Sequence, residues 1–292
     1  MKTISVKADL LMLMVTLLAA LGWIFSKESL AHIEPLLFMG SRFLLAGGVI
    51  AIFARKEIQE STSRDITRVL VVSIFFSAGL YFWALGLLHG SHMGIGSFLT
   101  SMGVILAPCI SPIFKDFPPK AVWFALPISL IGVGLLAIDS KFIFGIGELY
   151  FLMSAVAFAL YINLNGRAAT KTPILTLTSI QLMLVGVILL PLSFLVENWR
   201  ITGGISILGW FFASVFIATS LRYFLQTYSL KLSSPSRVSL ILTFEPVWVA
   251  IIGVFWLEER MGILQIVGCL LILIAVLIPR IHAVAKLRNS SI

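Results

Sequence analysis

The sequence predicts an all-α integral membrane protein with ten transmembrane helices, built as two inverted five-helix repeats. Three observations lead there. The 292 residues are 59% hydrophobic and only 12% charged, with a mean hydropathy of +1.06. A soluble domain carries about twice that charged fraction, so no water-soluble packing hides this much apolar surface. The apolar residues also fall in continuous runs of about twenty, which at ~1.5 Å per residue cross a ~30 Å hydrocarbon core. A transmembrane barrel would need alternating segments of ~10 residues instead. Helices remain, because each satisfies its own backbone hydrogen bonds. Finally, the second half of the chain repeats features of the first.

The spans are placed at 8–27, 36–54, 68–88, 93–114 and 120–138, then 146–166, 173–196, 206–229, 236–257 and 261–279. The first follows Lys2 and Lys7; it is too long for a signal core and lacks a cleavage site, so it is read as uncleaved. Pro35 opens the second, and the polar link from Arg55 to Arg68 ends it. The third carries Tyr81, Phe82 and Trp83, then Gly86, Gly90 and Gly94 at four-residue spacing, which lets backbones approach. His89 and His92 flank that turn and read as loop residues, since no carboxylate or cysteine accompanies them. The sixth carries Tyr161, Asn163 and Asn165, and the eighth Arg222, Tyr223, Gln226 and Tyr228. The ninth opens after Ser233-Ser234-Pro235 and holds Glu245-Pro246 at its centre. After the tenth, 281–292 is a basic tail expected at the membrane surface. Cys109 and Cys269 lie in apolar segments and read as small buried hydrophobes, with no disulfide or metal pair supported.

Ten crossings put both termini on one side. The links on that side hold fifteen of the 21 Lys and Arg, from Lys2 to Arg288, while the opposite links hold Lys27, Lys141, Arg200 and Arg260. The positive-inside rule then places both termini in the cytoplasm. The net charge of +8 is topological and not a nucleic-acid footprint, because the cations sit between apolar segments. Shifting the first two spans by 138 residues brings Pro35 onto Pro173, Ser41 onto Ser179 and Gly48 onto Gly186. Shifting the next three by 143 brings Ser77 onto Ser220 and Ser91 onto Ser234, and puts Met102-Gly103 where Glu245-Pro246 stands. The units are 1–140 and 141–280, followed by the tail. Five crossings reverse the chain, so the repeats are inverted, an arrangement common in secondary transporters with substrate near the midplane.

Few residues are available for chemistry. A carboxylate in the middle of a span is costly, so Glu245 is the leading gating or coupling candidate; a structural ion pair is the other reading. Arg222 lies at a similar depth on the preceding span and is its candidate partner. Pro246 removes a backbone donor, either bending the helix or opening its backbone to a cavity. Arg42 anchors a substrate carboxylate, snorkels to the outer interface, or serves helix packing. Lys27 is interfacial or closes an outer gate with Glu28 or Glu34. Trp23, Tyr81, Tyr223 and Gln226 are the cavity-lining candidates, with Tyr228 and Asn165 assigned to the interfacial belt. Enzyme signatures such as GxSxG, a P-loop and HExxH are missing.

Lys27, Pro35 and the run Arg42-Phe43-Leu44-Leu45-Ala46, together with Glu245-Pro246-Val247 and Leu257-Glu258-Glu259-Arg260, resemble the EamA family of the drug/metabolite transporter superfamily. The resemblance spans nearly the whole chain. It departs at Gly103-Val104, where Pro-Val is usual, and at Lys115-Asp116-Phe117, which stands in for a Gly-Glu-Arg-like end. It implies a bacterial inner-membrane exporter of amino acids or related small metabolites working by alternating access. No cofactor or metal is expected. The expected partners are a small-molecule substrate, the lipid bilayer and, as an option, a coupling proton. A nucleotide-sugar or cationic-drug carrier is the alternative within transport; a membrane enzyme or scaffold is the alternative outside it.

Overall fold

The computed structural model describes residues 6–89, 93–136, 145–199, 204–257 and 262–289, and every regular element among them is helical. The first half holds α1 (Val6–Leu30), α2 (Pro35–Gln59), α3 (Ser63–His89), α4 (Met93–Ile110) and α5 (Lys120–Leu136). The second holds α6 (Ile146–Ala169), α7 (Ile174–Val196), α8 (Ser206–Ala213), α9 (Arg222–Leu232), α10 (Pro235–Leu242), α11 (Glu245–Leu257) and α12 (Ile263–Asn289). A π-helical stretch, Ser214–Leu221, joins α8 to α9 as one rod. Seven helical stretches are long and apolar enough to cross a bilayer, and three shorter apolar helices accompany them: Leu99–Phe114, Lys120–Leu135 and Ile263–Pro279. Seven of the ten expected spans thus fall, among the described residues, on helices long enough to cross, and the other three fall on the shorter apolar helices, which do not reach that length. The last helix runs past Pro279 to Asn289, so most of the basic tail is helical.

Prolines mark several starts. Pro35 and Pro235 occupy the first positions of α2 and α10, where a missing N–H costs nothing. The α4–α5 link is a short 3-10 turn, Ser111–Phe114, closed by Lys115 at φ 61°, the one positive-φ residue other than glycine among the described residues.

Helix contacts cross between the halves in matched sets. α2 lies along α7, and α5 along α12. α3 packs on α6 as α1 packs on the α8–α9 rod, and α4 packs on α6 as α1 packs on α10 and α11. Phe38, Phe43, Phe76, Leu177 and Leu182 form the centre of the core. The α2–α7 crossing is tight. A Cβ on Gly47 would stand 2.5 Å from the Met183 nitrogen, and one on Gly186 2.6 Å from that of Leu44. Gly48, the sequence match of Gly186, would meet nothing within 4 Å; the packed residue is its neighbour Gly47. Gly86 receives the Phe151 ring of α6, whereas Gly90 and His92 lie outside the described residues. His89 is exposed beside Tyr150. Cys109 is exposed and not buried, for a geometric reason: Ala107 faces α6, and two residues turn the helix by about 200°. Cys269 is half-buried, and both cysteines are free.

Candidate functional site

Pro246 breaks the ninth span in two. Its nitrogen cannot donate to Leu242, and the backbone tightens there: Thr243 and Phe244 donate to Leu240 and Ile241, three residues back. Glu245 therefore opens α11. A carboxylate at that position meets the positive end of the helix dipole.

Two neighbours complete the group. The Trp23 indole Nε1 donates to Glu245 Oε1 at 3.0 Å, and Arg222 Nη2 donates to Oε2 at 3.4 Å. The Arg222 guanidinium also lies 4.9 Å from the centre of the Tyr223 ring. The pair is not sealed: the Arg222 and Glu245 side chains keep 19% and 22% of their surface exposed. Edge-on to Trp23, at 6.4 Å, stands Trp83 of α3.

One helical turn away, on the Lys27 side, is a second layer. Arg42 is buried, donating from Nη1 to Ser26 Oγ at 2.9 Å, from Nη2 to the Ala218 carbonyl at 3.4 Å, and from Nε to Thr219 Oγ1. It does not snorkel. Ser26 lies three residues after Trp23, and Thr219 three before Arg222, so the layers stack about 4.5 Å apart. The π-helix shapes this wall. The Thr219 and Ser220 hydroxyls donate five residues back, to Ser214 and Val215, and the wide register ends at Arg222, whose N–H reaches Ile217 and Thr219. Arg42 has no carboxylate partner, unlike Arg68, Arg222 and Arg237, which pair with Asp65, Glu245 and Asp9.

A third side is amide-rich. Asn165 is buried, donating to the Tyr161 hydroxyl at 3.3 Å and Thr227 Oγ1 at 3.4 Å. Its assignment to the interfacial belt is thus corrected. Gln226 Oε1, Asn165 Oδ1, Arg222 Nε and both amide atoms of Gln181 lack partners; Gln181 borders the Tyr161 hydroxyl without forming a bond of ordinary geometry. An unmet buried polar atom costs ~1–3 kcal/mol, so this wall suits polar ligand groups or internal water.

The sequence model of the EamA-like transporter family matches residues 6–138 and again 145–279. The chain belongs to the EamA-like transporter family. Membership makes it a multi-pass membrane transporter of the drug/metabolite superfamily. A solved crystal structure shares the EamA-like fold of this chain with TM-score 0.84 at 14% identity, covering 96% of this chain and 98% of its own. No curated protein matches in sequence.

Of the residues singled out in this EamA-like chain, the structure joins Glu245, Arg222 and Trp23 directly and sets Tyr223 under Arg222. Gln226 is buried on α9, one turn beyond Tyr223. Tyr81 stands against the Phe82 ring, and among the described residues it makes no hydrogen bond or ring contact with Trp23, Arg222 or Glu245. Tyr81 and Trp83 are two residues apart, about 200° around the helix, and Trp83 is the one facing Trp23. Lys27 is exposed at the end of α1 and joins no ion pair with Glu28 or Glu34. Glu258, Glu259 and Arg260 lie outside the described residues.

Ser26, Thr219 and Asp9 were not singled out from the sequence, and Trp83 was named on the third span but not among the cavity-lining candidates. Asp9, an acid inside the first apolar run, was the available signal. It holds Arg237 through two bonds, at 2.8 and 2.6 Å, tying the start of α1 to α10. Beside it, Ser236 bridges Ser111 at 2.9 Å and Asp116 at 3.1 Å.

Proposed function

We propose that this protein is a secondary transporter that exports amino acids or related small metabolites across a bacterial inner membrane, with both termini cytoplasmic. The observation that carries the reading is Arg42: a buried guanidinium with neutral acceptors only, one turn from a partly open Glu245–Arg222 pair. Two cations and one carboxylate leave one positive charge uncompensated. A zwitterion gives Arg42 the carboxylate it lacks and brings an ammonium that competes with Arg222 for Glu245, while its zero net charge leaves the overall charge of the site unchanged. Each binding event would then loosen an existing contact, which is how a ligand shifts a two-state equilibrium.

Alternating access needs a closed side. The bidentate Asp9–Arg237 pair and the Ser111–Ser236–Asp116 bonds supply the candidate barrier toward the termini. Opening toward the cytoplasm would separate α1 from α10 there.

Counterflow of radiolabelled amino acids in proteoliposomes tests the reading. Wild type is expected to exchange a zwitterionic amino acid and to discriminate against its decarboxylated amine. Glu245→Gln is expected to insert normally and lose exchange. An Arg42→Lys variant with unchanged KM for every zwitterion would remove Arg42 as the carboxylate anchor. Exchange of amines and amino acids alike would sink the substrate class. Imposed pH gradients decide whether a proton is coupled.

A further inference from the structure

We propose that the pocket at the start of α7 is a headgroup site for an aminophospholipid, its phosphate held by Lys171, Lys231 and the first amides of α7, its ammonium by Glu57.

Two helix starts related by the repeat carry the argument. At the start of α2, the amides of Leu36 and Leu37 donate to the two carboxylate oxygens of Glu197 at 2.7 and 2.9 Å. Glu197 follows α7 directly, so the end of α7 caps the start of α2. Ser193 secures that carboxylate at 2.6 Å, and Trp199 secures Ser193 at 3.1 Å.

At the start of α7 the corresponding cap is unmade. Pro173 offers no capping group, and no side chain among the described residues accepts from the Ile174 and Leu175 amides. The 138-residue shift puts Gln59 where Glu197 stands, and two residues before it Glu57, near the end of α2, has its Oε2 buried without a partner. Between them opens a pocket of about 570 Å³. Its polar lining includes Glu57, Lys171, Tyr228 and Lys231, and Phe224 and Leu175 give it an apolar side. Lys7 stands 5.5 Å above the Tyr228 ring and adds a cation at the rim.

The chemistry selects the ligand. Two ammonium groups and a helix N-terminus favour a phosphate. A buried carboxylate oxygen in the same wall disfavours a bare anion and asks for a charged donor. A phosphoethanolamine group carries both charges two carbons apart. The apolar side of the pocket, between the spanning helices α7 and α9, gives acyl chains a path into the bilayer. Basic pockets between transmembrane helices are recurrent lipid-headgroup sites. Phosphatidylcholine lacks the N–H donors and phosphatidylglycerol lacks the cation, so each omits one half of the match.

The test uses the full chain reconstituted in equimolar vesicles of phosphatidylethanolamine, phosphatidylglycerol and phosphatidylcholine. Co-purified lipid is counted by native mass spectrometry. Phosphatidylethanolamine is expected to be retained roughly tenfold over each competitor, the worth of one charge-assisted bond. Glu57→Gln is expected to abolish that preference with an unchanged melting temperature. The Lys171→Gln/Lys231→Gln double variant is expected to lower retention of all three lipids. Equal retention by the wild type, a preference for phosphatidylglycerol, or a preference that survives Glu57→Gln would overturn the proposal. Displacement of bound lipid by low concentrations of soluble phosphoethanolamine would assign the pocket to a free metabolite and overturn the lipid. None of these outcomes depends on the transport reading.

Discussion

At Trp23 the interface between the halves holds an ion pair and is partly open; at Tyr161, the residue the 138-residue shift puts in its place, it holds no ion pair and is closed. The 143-residue shift sets Gly79 where Arg222 stands and Met102 where Glu245 stands. Gly79 holds the Phe158 ring, Met102 packs with Leu99, Phe151 and Trp83, and Tyr161 stacks on Phe76 at 4.3 Å. Backbones differ likewise. α4 runs unbroken past Gly103, whose missing Cβ would stand 2.5 Å from the Ala155 carbonyl oxygen on α6. Its counterpart is split at Pro246 and bridged to α1 by two indoles, Trp23 to Glu245 and Trp248 to Thr16 at 3.2 Å. A duplicated scaffold thus carries one hinge-like face with charge and one flush face without it. The flush face supplies rigidity, and the charged face supplies contacts that a substrate can exchange.

The strongest way to break this comparison is to neutralise the charged face. Glu245→Gln keeps the shape and removes the charge; flux in proteoliposomes is expected to fall at least roughly tenfold with normal expression, as befits an intramembrane carboxylate. Full flux would make the pair structural. Next, the charged face can be given residues like those of its counterpart. Arg222→Leu or Glu245→Met alone strands a charge and is expected to lower unfolding free energy by about 2 kcal/mol, reduced from the 3–5 of a sealed pair by the partial exposure. The double variant is expected to recover most of that loss while still failing to transport. A double variant as unstable as the sum of the singles would show that the two groups do not share an interaction.

The flush face can be pried apart in turn. Gly103→Ala would push a Cβ into the Ala155 backbone, which cannot rotate away, and is expected to cost about 2–3 kcal/mol in thermal or denaturant unfolding. Gly48→Ala, in open space on α2, is expected instead to stabilise by about 0.5–1 kcal/mol. Equal effects would mean that the close α4–α6 approach is not what fixes that side. Trp23→Phe keeps the ring and deletes one hydrogen bond to Glu245. About 1 kcal/mol is expected, read as a several-fold rise in KM with little change in melting temperature.

Hydropathy made the helices legible, because the bilayer demands long apolar runs. Hairpin arithmetic made the Glu245–Arg222 pair legible, because antiparallel helices share depth. What the sequence could not convey was facing. Tyr81 and Trp83 are equally aromatic, and only the rotation of α3 decides that Trp83 reaches Trp23. Arg42 read for a substrate anchor as well as for snorkelling or helix packing, because its acceptors come from two other segments and one of them is a backbone carbonyl. The π-helix had no readable mark: serine and threonine hydroxyls bond back to carbonyls in α-helices too, and the five-residue reach appears only in the folded backbone. Gly48 shows the reverse error, a residue match between repeats that packing assigns to its neighbour Gly47.

The smallest expected effect concerns how the flush face ends. Lys115 closes the α4–α5 turn at φ 61°, a conformation that costs an L-residue with a Cβ about 1–2 kcal/mol. Its N–H donates to the Pro112 carbonyl at 2.9 Å, and Asp116 N–H donates to Ser111 at 3.1 Å, so the turn is hydrogen-bonded in spite of the strain. Ser111 Oγ then meets Ser236 Oγ at 2.9 Å, which ties this turn to α10 beside the Asp9–Arg237 pair. Lys115→Gly relieves the strain but adds freedom to the unfolded chain, and the difference is expected to stabilise by about 0.5–1 kcal/mol. If the turn is a passive closure of the rigid face, flux stays unchanged as the melting temperature rises. If flux falls while stability rises, the strain in this turn favours the opening of α10, and the flush face takes part in the transport cycle.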